Sequence, residues 1–187
     1  MKAQAKTTKV KQEVKKEKKE KTHNPMRDFY LEKIILSCGA SGPDLDKAQK
    51  LLQIITGKKA NRNITQKRIP DFDVRPGLEV GTTVTLRGVE APVLLKRLLV
   101  AIDNKLRKSQ VTENTLSFGI EEYIEIPGVE FKRDIGIRGL NVTVSFARPG
   151  FRVKRKKIKF GKIPKRQFVT KQEIIKYMED NFKTKFK

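Results

Sequence analysis

Leu31 to Gly57, LEKIILSCGASGPDLDKAQKLLQIITG, changes its hydrophobic period once, and the change says that a helix and a sheet pack together. Leu31, Ile34, Ile35 and Leu36 make a short apolar run that reads as a strand ending at Ser37-Cys38-Gly39. Gly39-Ala40-Ser41-Gly42 gives a loop. Pro43 and Asp44 then open a helix, because proline loses nothing in a first turn whose N–H groups have no intrahelical partner. Leu45, Ala48, Leu51, Leu52 and Ile55 recur at helical spacing, and Gly57 closes the helix. Its single apolar stripe needs a sheet to cover.

Outward from that unit, residues 60 to 66 fit a short strand, and Leu78 to Arg87 a longer one rich in β-branched residues. Between them Gln66-Lys67-Arg68-Ile69-Pro70-Asp71-Phe72-Asp73-Val74-Arg75-Pro76-Gly77 predicts a projecting loop, since two prolines and a terminal glycine forbid a continuous ladder. A second helix is expected from Glu90 to Leu106, with Pro92 in its first turn and Leu94, Leu95, Leu98, Leu99 and Ile102 facing a core. Residues 118 to 124 and 140 to 148 read as strands, separated by the turn Ile126-Pro127-Gly128. Thr170-Lys171-Gln172-Glu173 is a capping-box pattern that opens a last helix carrying Ile174, Ile175, Met178 and Phe182. No internal repeat is visible.

The net charge is +22 on 187 residues, enough for the folded chain to repel itself unless a polyanion neutralises it. Most of that charge is clustered. Residues 1 to 24 carry nine lysines against three glutamates with almost no large apolar residue, a composition that cannot offset the entropy of ordering. Residues 1 to 23 are thus expected as a basic tail, read either as a solubilising arm or as an arm that orders on RNA. Residues 150 to 166 hold nine basic residues and no acid: Arg152, Lys154, Arg155, Lys156, Lys157, Lys159, Lys162, Lys165 and Arg166. This basic extension is expected to contact nucleic-acid phosphates. Residues 24 to 187 make one domain that is only modestly basic outside residues 150 to 166, and extended basic segments suit threading into RNA.

Several function classes are excluded by what is scarce. No run approaches the roughly 18 apolar residues a spanning helix needs, and no signal-peptide core is present, which points to a soluble, cytoplasmic chain. One cysteine, Cys38, and one histidine, His23, leave no zinc cluster and no nearby partner for a Ser/His/Asp or Cys/His constellation. Cys38 closes an apolar run and reads as a buried structural thiol. Glu121, Glu122 and Glu125 read as a solvated edge. No enzyme, cofactor or metal site is expected. The Gly39–Gly42 loop could aim N–H groups at a phosphate, but it lacks the full Gly-x-Gly-x-x-Gly or Gly-Lys-Ser/Thr pattern. The sequons at Asn63 and Asn141 are incidental without a secretory signal.

Two features suit RNA. Phe72, flanked by Arg68 and Arg75, is an aromatic placed in a polar loop, where it can serve as a stacking platform or fold back on the core. Thr83 to Arg87 offers hydroxyls and a guanidinium on a strand, suited to 2′-OH and phosphate contacts.

Six ordered blocks make the pattern specific: Asn24-Pro25-Met26-Arg27, Ile55-Thr56-Gly57-Lys58, Ile69-Pro70-Asp71-Phe72, Val84-Thr85-Leu86-Arg87-Gly88, Ser117-Phe118-Gly119-Ile120-Glu121-Glu122-Tyr123-Ile124 and Arg148-Pro149-Gly150-Phe151-Arg152-Val153-Lys154-Arg155. With them the chain resembles, from Asn24 to Phe182, the universal large-subunit ribosomal protein family called L-five in bacteria and L-eleven in eukaryotes, in its archaeal form. The resemblance implies an α+β fold, an antiparallel sheet with helices packed on one face and RNA approached from the other. It implies 5S rRNA binding in the central protuberance through Ser37, Lys58, Phe72 and Thr85, beside Arg87. Ser37 stands where the family usually has Asn, and Lys58 where it has Gln. Serine keeps a donor and an acceptor with less reach, while lysine offers a point charge suited to phosphate.

Gln66, Lys67, Arg68, Ile69 and Pro70 correspond to the family's loop that approaches peptidyl-site (P-site) tRNA. Residues 108 to 135 correspond to a lobe that bridges to a small-subunit protein. The expected partners are therefore 5S rRNA, large-subunit rRNA, P-site tRNA and neighbouring ribosomal proteins, with no membrane. The competing expectation is a non-specific nucleic-acid condenser that works through its lysine-rich segments alone.

Overall fold

The computed structural model describes residues 24–187; the expected basic tail, residues 1–23, and His23 lie outside the described residues. The described residues form two compact units, one of residues 30–147 with 168–187 and the other of residues 24–29 with 148–167.

The larger unit is built on a six-stranded sheet of β1 (Tyr30–Gly39), β2 (Asn61–Ile64), β3 (Glu79–Leu86), β5 (Val111–Thr112), β6 (Thr115–Ile120) and β7 (Leu140–Ala147). The spatial order is β2-β3-β1-β7-β6-β5, and every neighbouring pair is antiparallel. β1 lies inside the sheet, with Ile34 opposite Leu86 on one side and Val144 on the other. Strand residues alternate between faces. Ile34, Leu36, Val84, Leu86, Leu116, Phe118, Val142, Val144 and Phe146 all fall on the buried face.

That face is covered by α1 (Pro43–Thr56) and α2 (Glu90–Val100), which present Leu45, Ala48, Leu51, Leu52 and Ile55, and Ala91, Leu94, Leu95, Leu98 and Leu99. α1 begins as expected at Pro43 and ends at Gly57, which takes the left-handed conformation (φ 68°) and donates its N–H to the Gln53 carbonyl. α3 (Lys171–Phe182) carries the capping box read from the sequence: Thr170 Oγ1 accepts from the Glu173 N–H, and the Glu173 carboxylate accepts from the Thr170 N–H. Ile174 and Met178 on α3 are fully buried, and Tyr177 meets the Phe146 ring edge-on at 5.6 Å. The fold is therefore α+β, with an antiparallel sheet and helices on one face. A separate parallel pair joins β4 (Lys105–Leu106) to β8 (Lys185–Phe186).

Two element boundaries differ from the sequence reading. The second helix stops at Val100, not Leu106, because Asp103 and Asn104 adopt left-handed φ values of 53° and 55°, and the Asn104 N–H closes the turn on the Leu99 carbonyl. Short polar side chains tolerate that conformation, so the apolar period ran past the true end. The strand read at 118 to 124 is displaced to Thr115–Ile120, and Tyr123–Glu125 is a 3-10 turn. Tyr123 is fully buried, with its hydroxyl accepting from the Lys132 N–H at 3.0 Å, so it anchors a turn rather than extending a ladder.

The smaller unit holds the basic extension. Asn24 Oδ1 accepts from the Met26 N–H and starts the 3-10 turn Pro25–Arg27. Phe151–Arg155 and Lys165–Gln167 form further short turns, tied by Arg148 donating to the Arg166 carbonyl at 3.2 Å and Gln167 donating to the Pro149 carbonyl at 2.8 Å. Lys154 and Arg155 sit 5.8 and 5.4 Å from the centre of the Phe151 ring. No longer element forms among residues 150 to 166, as expected where like charges crowd.

Candidate nucleic-acid interface

With the even-numbered residues of β1 and β3 committed to the helices, the odd ones form the opposite face of the sheet. Lys33, Ile35 and Ser37 on β1 stand opposite Ser145, Thr143 and Asn141 on β7. On β1's other side, Ile35 and Ser37 meet Thr85 and Thr83. Asn61 and Asn63 on β2 and Ser117 and Gly119 on β6 extend the same face outward. None of these residues is acidic. Glu79, at the start of β3, pairs with Ile64 beyond a register shift that breaks the alternation, and its carboxylate is held at 2.9 Å by Arg62, which also reaches Asp46 of α1. A face of hydroxyls and amides without a carboxylate presents donors and acceptors to a polyanion at little repulsive cost.

Part of this face is organised by its own contacts. Thr83 donates to Asn63 Oδ1 at 3.2 Å, Ser117 donates to Thr143 Oγ1 at 3.3 Å, and Thr112 pairs with Thr115. Each hydroxyl has one proton and two lone pairs, so such pairs are fixed in place and still have capacity for a ligand.

The loop between β2 and β3 continues this architecture. The Thr65 N–H donates to the Leu78 carbonyl, and the Gly77 N–H to the Thr65 carbonyl, which closes its stem. Beyond that, Ile69 and Val74 exchange backbone hydrogen bonds of 3.0 and 3.1 Å around the 3-10 turn Pro70–Phe72. Phe72 is 78% exposed at the tip. Of the two readings available from sequence, a stacking platform or a ring folded back on the core, the structure has the exposed ring. Gln66, Lys67, Arg68 and Pro70 are exposed along the same loop, with Ile69 at its mini-hairpin.

The residues singled out by resemblance do not form one cluster. Ser37 and Thr85 share the open face on adjacent strands, while Phe72 projects beyond one end of the sheet. Lys58 and Arg87 lie toward the other end, because α1 carries the chain back before β2 and Arg87 follows the last residue of β3. Lys58 is ion-paired with Glu90, and Arg87 stands 4.0 Å from Glu32. The Lys58–Glu90 pair is exposed at both ends and holds its partners weakly, whereas Arg87 is exposed beside a Glu32 side chain that is only 10% exposed.

In the smaller unit, Arg152, Lys154, Arg155, Lys156, Lys157, Lys159, Lys162, Lys165 and Arg166 are all exposed, with Ile158 and Phe160 exposed among them. Behind the sheet, Asp44 at the start of α1 bonds Lys47 and Arg138, each at 3.1 Å. The Lys47 hydrogen bond and charge, then Arg138, hold the Asp44 carboxyl below its ordinary value. Cys38 is buried, donates to the Gly139 carbonyl at 3.3 Å, and has its thiol pushed up by burial. It is buried, as expected.

The sequence reading missed Asn61, Asn63, Ser117, Asn141 and Thr143. Their signal was present as polar residues alternating with buried ones in β6 and β7, but only the strand order puts them on one face with Ser37.

Known proteins share this pattern over most of the chain. Residues 24–75 match the family model described as ribosomal protein L5, and residues 79–177 match the model that describes the C-terminus of the same ribosomal family. The chain is 42% identical over 160 residues to the large ribosomal subunit protein uL5 of Nanoarchaeum equitans, covering 84% of this chain and 95% of that protein. The chain belongs to the ribosomal protein uL5 family. The uL5 proteins of Sulfurisphaera tokodaii and Archaeoglobus fulgidus are 41% and 38% identical to it, over 86% and 90% of this chain and 93% and 96% of their own lengths. As a uL5-family member it is a structural protein of the large ribosomal subunit and not an enzyme. Every block that carried the resemblance falls wholly inside one matched segment or the other. No helix among the described residues is long and apolar enough to cross a membrane.

Proposed function

We propose that this uL5-family protein anchors 5S rRNA in the large subunit through the open sheet face and the β2–β3 loop. Ser37 and Thr85 contact ribose and phosphate, Phe72 stacks on an unpaired base, and Lys58 and Arg87 take phosphates at the far end of the sheet. The observation that carries this reading is the acid-free hydroxyl and amide face, continued by a loop whose aromatic tip is in water. Gln66 to Pro70 approach P-site tRNA, with Lys67 and Arg68 on its phosphates. The basic residues of 150 to 166 neutralise large-subunit rRNA, residues 1–23 add a basic arm, and a surface within 108 to 135 meets the small-subunit bridge partner.

Filter binding at roughly physiological salt tests the core of this proposal, because counterion release makes affinity at low salt indiscriminate. The full chain should prefer 5S rRNA over an unrelated RNA of equal length. Equal affinity for the two would favour the non-specific condenser and refute the proposal.

A further inference from the structure

Where β1 and β6 end and β7 begins, the open face drops into a cavity of about 460 Å³ whose lining includes Ser37, Arg107, Gln110, Gly119, Glu121 and Asn141. The ladder sets Gly119 opposite Asn141 and Asn141 opposite Ser37, so the floor crosses three strands. Gly119 has no positive φ that would demand glycine; a β-carbon there would meet Asn141 Oδ1 at 3.3 Å. The absent side chain therefore keeps the floor open. Arg107 precedes and Gln110 ends a 3-10 turn beside β6, and the Gln110 side-chain oxygen accepts from the Arg107 N–H at 2.9 Å. Among the described residues the Arg107 guanidinium has no carboxylate partner, and the Asn141 amide makes no hydrogen bond.

We infer that this cavity is a single-nucleotide subsite, which holds one unpaired nucleotide of the RNA bound to the sheet. The inference rests on the 5S rRNA reading above. The base lies on the exposed backbone at Gly119, Asn141 and Ser37 bond its edge, and Arg107 takes its phosphate. Glu121 fixes the orientation, since a carboxylate accepts from a base amino group and repels a phosphate. Three observations favour RNA over a peptide. The cavity is continuous with the acid-free face, its lining offers polar groups and no deep apolar anchor site, and it lies at the end of the sheet from which the Phe72 loop projects. Its volume is in the range of sites for small ligands, about 300–1,000 Å³, and suits a splayed-out nucleotide rather than a helix.

The test uses the full chain and intact 5S rRNA, with Gly119→Val, Asn141→Ala and Arg107→Gln compared by filter binding over a salt series. Thermal unfolding by circular dichroism identifies any variant that fails to fold. Asn141→Ala should weaken binding about tenfold with an unchanged salt slope, and Arg107→Gln should reduce the slope by about one. Valine at position 119, acceptable to a strand, should fill the floor and match the Asn141 loss. A chemical footprint should show one unpaired nucleotide that the native chain protects and Asn141→Ala exposes. If Asn141→Ala and Arg107→Gln fold and bind like the native chain while Phe72→Ala weakens binding, the subsite is refuted and the 5S reading stands. A loss confined to the docking of a neighbouring protein also overturns it. No preference of the native chain for 5S rRNA would instead bring down the reading beneath.

Discussion

Replacing Phe72 with alanine separates what the ring does for the fold from what it does for RNA. The residue is 78% exposed, so roughly a fifth of its surface is withdrawn from water. An aromatic side chain that buries about 200 Å² when fully enclosed would here bury about 40 Å², or about 1 kcal/mol at about 25 cal/mol per Å². That is an upper bound on the stability cost. It is small beside a global stability on the order of 5–15 kcal/mol. A base stacked on the same ring contributes about 1–3 kcal/mol, a loss of roughly 5- to 150-fold in affinity. Urea unfolding followed by circular dichroism should therefore move little, and the salt slope should hold because no charge is removed. Affinity for 5S rRNA should fall by that factor. A variant that lost 2 kcal/mol or more of stability would show the ring packed on the protein. One that lost neither stability nor affinity would show a ring with no partner, and the assignment of this loop would be wrong.

Other consequences can be checked on the free protein. Lys47→Ala should raise the Asp44 pKa more than Arg138→Ala does, because the Lys47 hydrogen bond is the larger cause of its depression; carboxyl chemical shifts during an acid titration measure both. The stability tied to Asp44 is present above its unfolded value of about 3.8 and should fade as pH drops through the lower folded value. Cys38 behaves in the opposite sense: its folded pKa is raised, so its contribution holds below about pH 9.0 and should decline as pH rises through the folded value. Native-state alkylation of that thiol at pH 8 should be slow and become rapid in denaturant, as read by intact mass. Thr170→Ala, which removes the α3 cap, should cost about 0.5–2 kcal/mol in urea unfolding.

The parts of the fold that local chemistry dictates were legible in advance. Pro43 and Gly57 bracket α1, Thr170 and Glu173 open α3, and the β-branched run of β3 is a strand, because each signal acts within a turn or two of itself. Asp103 and Asn104 misled the reading of α2, since the apolar period continues through Ile102 while the backbone has already turned left-handed. The site was legible only in pieces. Phe72 was conspicuous as an aromatic among charges, but Asn141 and Gly119 acquire meaning from lying opposite each other, and that pairing belongs to the topology. Lys58 looked like a phosphate ligand, and nothing nearby in sequence announced Glu90 as its partner.

The strand order also governs how the molecule comes to exist. β1, the earliest strand among the described residues, pairs with β3 through residues 81–86 and with β7 through residues 141–147, so its second edge stays unpaired until more than a hundred later residues have been made. During that interval Ile34 and Leu36 belong to a half-formed sheet with an open row of N–H and C=O groups, the geometry most prone to pairing with another chain. Pairings so distant in sequence close slowly. α1 and β3 arrive first and can cover one side of that strand, leaving β7 as the step on which safe assembly waits.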